Sequence, residues 1–207
     1  MIVSHRHRFV FAAVPKTGTH SVRRALRAHL GGEDLEQVGL FEHKVFPWPE
    51  LAGLRHGHVG LAQVRPHLGE EAFASYFKFG FVRNPFARFV SYCAFVTRER
   101  DIFQRNPRAV MRHLLFERPP EAHILFQPQH TVLADREGRL LADEAYRVED
   151  MQAGYDAACA RIGIPSSVLG KVNDSRHGDY RQYYDQPLRD AVAARYRGDL
   201  ELFGYDF

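Results

Sequence analysis

Six residues, Lys16-Thr17-Gly18-Thr19-His20-Ser21, bring together a lysine charge, three hydroxyls and a glycine, just ahead of an amphipathic stretch that opens with Ser21 and Val22. A loop of this kind at a helix N-terminus offers backbone N–H groups at the positive end of the helix dipole, which are the parts of an anion cradle. Further on, Arg83 follows a second apolar run, Phe77 to Val82, and its planar guanidinium fork suits a phosphate. Ser91 stands some two turns into the next helical stretch, where its hydroxyl can face the same anion. The chemistry these residue types could do is the binding of an anionic ligand such as a phosphate. The loop is not the nucleotide-binding GxxxxGK[ST] pattern, because Lys16 precedes Gly18 and no Gly-Lys-Ser/Thr follows.

These residues need rigid elements beneath them. Phe9 to Val14 is a continuous apolar run of strand length, the pattern of a parallel strand covered on both faces. Pro15 ends it. From Ser21, Val22, Ala25, Leu26, His29 and Leu30 recur at helical spacing, with Arg23, Arg24 and Arg27 on the other face and Gly31-Gly32 as a stop. Residues 33 to 54 lack periodicity and read as loop-rich, Gly69 to Tyr76 reads as a helix, and Phe77 to Val82 as a second buried strand. Arg83-Asn84-Pro85 then leads into a helix with Phe86, Phe89, Val90, Cys93 and Val96 inward.

Two strand-loop-helix units joined by a helical connection predict a parallel sheet with right-handed crossovers. Residues 99 to 130 read as irregular helix, and Thr131 to Asp135 with Arg139 to Asp143 as a β-hairpin. A helix with Val148, Met151, Tyr155, Cys159 and Ile162 on one face closes at Gly163. After a polar loop from Lys171 to Asp185, one helix beginning at Pro187 carries Leu188, Val192, Tyr196, Leu200 and Phe203 inward. The expected fold class is α/β, a P-loop-like three-layer arrangement with a central parallel sheet flanked by helices.

At 207 residues and 45% hydrophobic content the chain can bury a full core, and without a linker or repeat it reads as one domain over 1–207. Its formal charge of +3 comes from dispersed arginines, so small anionic ligands fit better than nucleic acid. Cys93 and Cys159 lie in apolar helical patterns and read as buried free thiols. Met1 to Arg8 is too short and too basic for a signal peptide, and no apolar run reaches transmembrane length. A cytoplasmic protein without membrane contact is the expectation.

The loop Pro15-Lys16-Thr17-Gly18-Thr19-His20-Ser21 resembles the 5′-phosphosulfate loop of sulfotransferases that use 3′-phosphoadenosine 5′-phosphosulfate (PAPS). The stretch from Phe81 through Val82-Arg83-Asn84-Pro85 to Arg88, Ser91 and Tyr92 resembles their 3′-phosphate-binding segment. The resemblance covers Phe9 to about Tyr92 sharply, is looser from Glu149 to Phe207, where Asn173, Tyr180, Tyr183 and Tyr184 carry it, and implies a compact bacterial-type member. It assigns Lys16, Thr17, Gly18, Thr19, His20 and Ser21 to the 5′ end of the cofactor and Arg83 and Ser91 to its 3′-phosphate. Lys16 would absorb leaving-group charge. Arg88 reads instead as a solvated helical arginine.

His56-Gly57-His58-Val59 resembles a segment of uronyl and heparan 2-O-sulfotransferases in which a histidine is the proposed base, which implies His58 as base and a carbohydrate hydroxyl as acceptor. Imidazole suits that step, with an unperturbed pKa near 6.5. His56 and His43 stand behind His58, and Glu42 is the local candidate for the glutamate that other branches use. The implied activity is sulfuryl transfer from PAPS, leaving adenosine 3′,5′-bisphosphate, with no metal expected because no carboxylate cluster marks a magnesium site. The alternatives are a P-loop-type nucleotide kinase and a catalytically inactive PAPS-binding protein.

Overall fold

In the computed structural model, which describes residues 1–38, 46–170 and 178–207, the apolar run after Arg8 becomes a fully buried strand. In chain order the elements are β1 (Ile2–Ser4), β2 (Phe9–Ala12), α1 (Thr19–Arg27), β3 (Leu35–Glu36), α2 (Pro49–Ala52), α3 (Leu61–Leu68), α4 (Glu70–Ser75) and β4 (Phe77–Val82). There follow α5 (Pro85–Val96), α6 (Ile102–Arg105), α7 (Pro107–Arg112), α8 (His130–Leu133), β5 (Glu144–Arg147), α9 (Met151–Ile162), α10 (Gln186–Arg195) and α11 (Arg197–Phe203). Two compact units result: Met1–Val82 with Gln129–Val172, and Arg83–Pro128 with Asn173–Phe207.

The first unit holds a five-stranded sheet in the order β3-β1-β2-β4-β5. Its core is parallel as expected: Phe9 to Ala12 pairs with Phe77 to Gly80, and Phe79 to Val82 with Glu144 to Arg147. β1 and β3 extend it on the β2 side in antiparallel register, Ile2 opposite Phe11 and Glu36. Met1–Arg8 reads as a basic lead-in by composition, yet it forms a strand because the open edge of β2 offers a ladder to any extended segment beside it. Phe9, Phe11, Phe79 and Phe81 meet Val22 and Leu26 of α1 and Tyr155, Ala158 and Cys159 of α9. Each fully buried side chain of this size contributes roughly 1.5–3 kcal/mol of transfer free energy.

Several local expectations give way. The 131–143 segment does not form the hairpin: residues 130–133 make a helical turn, and pairing shrinks to one bridge, Ala134 with Leu140. Packing decides this, since Leu133 fills the space beside Gly80, where an added β-carbon would lie 2.8 Å from Leu133 Cδ2. The strand falls later, at Glu144–Arg147. α1 ends at Arg27, before His29 and before the glycine pair. Arg23, expected on its solvent face, is buried and stands 3.2 Å from Glu36 Oε1, while Arg27 donates to both Glu36 oxygens at 2.9 Å. Helical spacing marks Arg23 as outward, but β3 covers that face and supplies the carboxylate.

In the second unit, Phe86, Phe89, Val90 and Cys93 of α5 are buried with Phe103, Phe126, Leu188 and Tyr196, whereas Val96 is exposed. The C-terminal helix is two helices. The backbone breaks at Tyr196, whose hydroxyl donates to the Phe126 carbonyl at 2.9 Å. Asp185 caps α10 by accepting from the Leu188 N–H at 3.0 Å. Both cysteines are buried and free, and burial pushes their thiols up.

Candidate active site

Beyond β2 the chain turns through Pro15 into two left-handed residues, Lys16 at φ 67° and Gly18 at φ 69°. The left-handed conformation is uncommon for a residue with a β-carbon, and its cost at Lys16 is of order 1–3 kcal/mol. Gly18 is the N-cap of α1 and brings no side-chain cap to the N–H groups of Thr19 and His20, which precede the intrahelical ladder. A β-carbon at Gly18 would also collide with Met151 Cε. Thr17 anchors the loop from below, its hydroxyl donating to the Val14 carbonyl at 2.9 Å.

Ser21 is committed within the protein: its N–H donates to the Gly18 carbonyl at 3.0 Å and its hydroxyl to the Gly170 carbonyl at 2.9 Å. Thr19 is buried and His20 exposed. His20 Nδ1 lies 3.1 Å from Arg23 Nη2, and since a guanidinium can only donate, Nδ1 accepts and the proton of neutral His20 sits on Nε2.

His58 is bound to the root of this loop. Its Nδ1 lies 2.6 Å from the carbonyl oxygen of Ala13, the residue after β2, so Nδ1–H donates and the ring's lone pair is on Nε2. Burial holds the imidazole neutral and pulls its pKa from 6.5 to about 3. The His56 ring stands 6.1 Å from that of His58; its Nδ1 is buried without a hydrogen-bond partner among the described residues, and burial lowers its pKa as well.

Two residues to which the sequence reading gave no role position this pair. Gln37, 1% exposed, donates through Nε2 to the carbonyls of Leu51 at 2.6 Å and His56 at 2.8 Å, and accepts from the Phe46 N–H at 3.0 Å. Gly57 is required between the histidines because a β-carbon there would run into the Gln37 carbonyl oxygen. The Gly57 signal was present in the His-Gly-His spacing; Gln37 carried none, being one polar residue in an aperiodic stretch. His43 and Glu42, the other base candidates, lie outside the described residues, as does Asn173.

Within the first unit β2 and β4 are parallel neighbours, so their carboxyl ends lie side by side, where open α/β sheets bind ligands; Arg83 follows Val82 in the chain. Arg83 and Ser91 are partly buried. Asn84 fixes the start of α5: its Oδ1 accepts from the Phe86 N–H at 2.9 Å and its Nδ2 donates to the Asp206 carbonyl at 2.7 Å. Arg88 is not the solvated side chain expected. It is 1% exposed, donates to the carbonyls of Leu125 at 3.2 Å and Gln127 at 2.7 Å, and lies 5.0 Å from the Tyr196 ring centroid. Backbone carbonyls accept from its two terminal nitrogens while its Nε is buried without a hydrogen-bond partner among the described residues, and it holds the 125–127 segment to α5.

The neutral state of His58 has a consequence for stability. As pH falls below 6.5, the unfolded chain takes up a proton that the native imidazole refuses until about pH 3, so the contribution present above 6.5 is lost progressively through that window. Unfolding free energy measured in urea is expected to decline on acidification by up to about 5 kcal/mol from this residue. The slope should flatten in His58→Leu, and an unchanged slope would assign the acid lability to another group.

Among the described residues no group of histidines, cysteines and carboxylates is arranged to hold a metal ion, and no helix is long and apolar enough to cross a membrane. Searches of curated proteins and of solved structures returned no significant match. A family model described as "Sulfotransferase family" does match, over residues 1–206, a span that takes in the 15–21 loop, the His56–His58 pair and the strand-to-helix passage at Arg83. With nearly the whole chain matched, this protein belongs to the sulfotransferase family and is an enzyme of sulfuryl transfer.

Proposed function

We propose that the enzyme takes its sulfuryl group from PAPS and passes it to a carbohydrate hydroxyl, with His58 as the base. The observation that carries this reading is the 2.6 Å bond from His58 Nδ1 to Ala13, which directs the Nε2 lone pair away from the strand that feeds the anion loop. That loop suits a phosphate, because Gly18 is exposed and the first turn of α1 is uncapped beside Lys16. PAPS supplies an electrophilic sulfur on a phosphate leaving group. His58 Nε2 accepts the acceptor's hydroxyl proton as the oxygen attacks, and Lys16 balances the charge appearing on the departing phosphate.

The N–H groups of Thr17 to His20 hold the 5′ end; with its N–H and hydroxyl engaged, Ser21 serves by shaping the turn. Arg83 and Ser91 hold the 3′-phosphate, a role supported by the resemblance of their segment and by Arg83's position at the end of β4. A carbohydrate acceptor is supported by the resemblance of His56 to Val59. One family match running through both compact units supports reading 1–207 as a single functional domain.

Calorimetry tests the donor. Adenosine 3′,5′-bisphosphate is expected to bind much more tightly than AMP or ATP with magnesium, and Arg83→Ala to weaken it by on the order of 2–4 kcal/mol through loss of a charge-assisted contact. Tighter binding of ATP with magnesium would favour the nucleotide-kinase alternative, and an unchanged affinity in Arg83→Ala would remove Arg83 from the site.

A further inference from the structure

The sheet edge opposite the anion loop carries a second concave surface. Residues including His7, Arg8, Ser75, Tyr76, Phe77 and Arg161 border a cleft of about 330 Å³ at the amino ends of β2 and β4. That volume falls at the small end of the range for ligand pockets, roughly 300–1,000 Å³. It is also far larger than a single small ion needs, one water occupying about 30 Å³.

The charges here are arranged for an anion. Arg8 closes the turn between β1 and β2 and is held at φ 53°, a left-handed backbone that is disfavoured for any residue with a β-carbon. Its guanidinium carbon lies 6.0 Å from the Tyr76 ring centroid, and that of Arg161, in the last turn of α9, 5.7 Å from the Phe77 centroid. Neither arginine has an ion pair among the described residues. Stacking steadies the plane of a guanidinium while leaving its N–H edge for a ligand.

Asp143, the acid in the lining, is taken up by Lys78, with Nζ at 2.9 Å and the Lys78 N–H donating at 2.7 Å. His7 Nε2 lies 3.2 Å from the His29 carbonyl and donates there. Two cations without an ion pair among the described residues therefore border the cleft, each placed over an aromatic ring.

We propose that this cleft is a second anion-binding site, which takes a sulfate or carboxylate group of a carbohydrate chain, apart from the transfer loop. The carbohydrate part rests on the acceptor reading above. Five steps along β4 at about 3.3 Å each set the cleft roughly 17 Å from the edge where transfer is proposed. It is a holding site for a remote unit of the acceptor or product chain.

The test is calorimetric titration of the full chain, saturated with adenosine 3′,5′-bisphosphate, by a sulfated glycosaminoglycan hexasaccharide, its desulfated counterpart and inorganic sulfate at one ionic strength. The sulfated hexasaccharide is expected to bind best. Arg8→Gly, which suits the left-handed backbone, and Arg161→Gln should each weaken it about tenfold, with bisphosphate affinity unchanged. The site is overturned if the sulfated hexasaccharide does not bind or if both variants bind it as well as the unmutated chain. Inorganic sulfate binding as tightly as the hexasaccharide would overturn the carbohydrate assignment. Should the bisphosphate itself fail to bind, the donor reading falls, and the same titrations without it still decide the cleft.

Discussion

His58→Ala is expected to slow transfer to ordinary alcohol acceptors by roughly 10²–10⁴-fold, the usual worth of a positioned general base. Affinity for adenosine 3′,5′-bisphosphate should stay nearly unchanged, because the imidazole is tied to the Ala13 carbonyl, ahead of the loop proposed to hold the bisphosphate. The penalty should shrink with an acceptor whose hydroxyl is acidic and sheds its proton with little help. Burial sets the pH behaviour: with the imidazole of the ligand-free protein neutral down to about pH 3, kcat/KM should show no acid limb near the ordinary histidine value of 6.5. An anion held beside the ring favours the protonated form, so the limb of kcat should lie at higher pH than that of kcat/KM. Full turnover in His58→Ala, or a kcat/KM limb near 6.5 that survives it, would transfer the role to His56, His43 or Glu42.

Lys16→Ala is expected to lower kcat by about 10²–10³-fold, the cost of removing one preorganised charge from developing oxyanion character. Unlike the loss at His58, this one should persist with the acidic acceptor, since charge still develops on the departing phosphate. The backbone at φ 67° calls for a control. Lys16→Gly relieves the left-handed strain that alanine retains, so equal losses in the two variants would trace the effect to the ammonium group rather than to loop geometry. Turnover within about threefold of the unmutated enzyme, against the hundredfold or more that charge stabilisation provides, would exclude Lys16 as the charge absorber.

Much of this arrangement was legible in short stretches of chain. Phe9 to Val14 and Phe77 to Val82 are apolar runs bounded by turn residues, Gly18 and Asn84-Pro85 are local conformational signals, and each carries its meaning within a few residues. The turn at 15–18, the two core parallel strands and the helices after them follow from that alone. His58 could be chosen only by resemblance and by its place between the motifs. Its tie to Ala13, 45 positions away, and the hold of Gln37 on His56 exist only once β1, β2 and β3 have paired.

Arg23 and Arg88 make the same point from the other side. By residue type and spacing they belong in water, and only the folded chain brings Glu36 to one and the carbonyls of Leu125 and Gln127 to the other. The strand at Glu144–Arg147 and the break at Tyr196 were likewise settled by partners distant in sequence, Phe79 to Val82 and Phe126. Backbone preference and turn chemistry are local energies and can be read along the chain. Strand pairing and the satisfaction of buried charge depend on which groups meet across it, and the tertiary structure alone decided those.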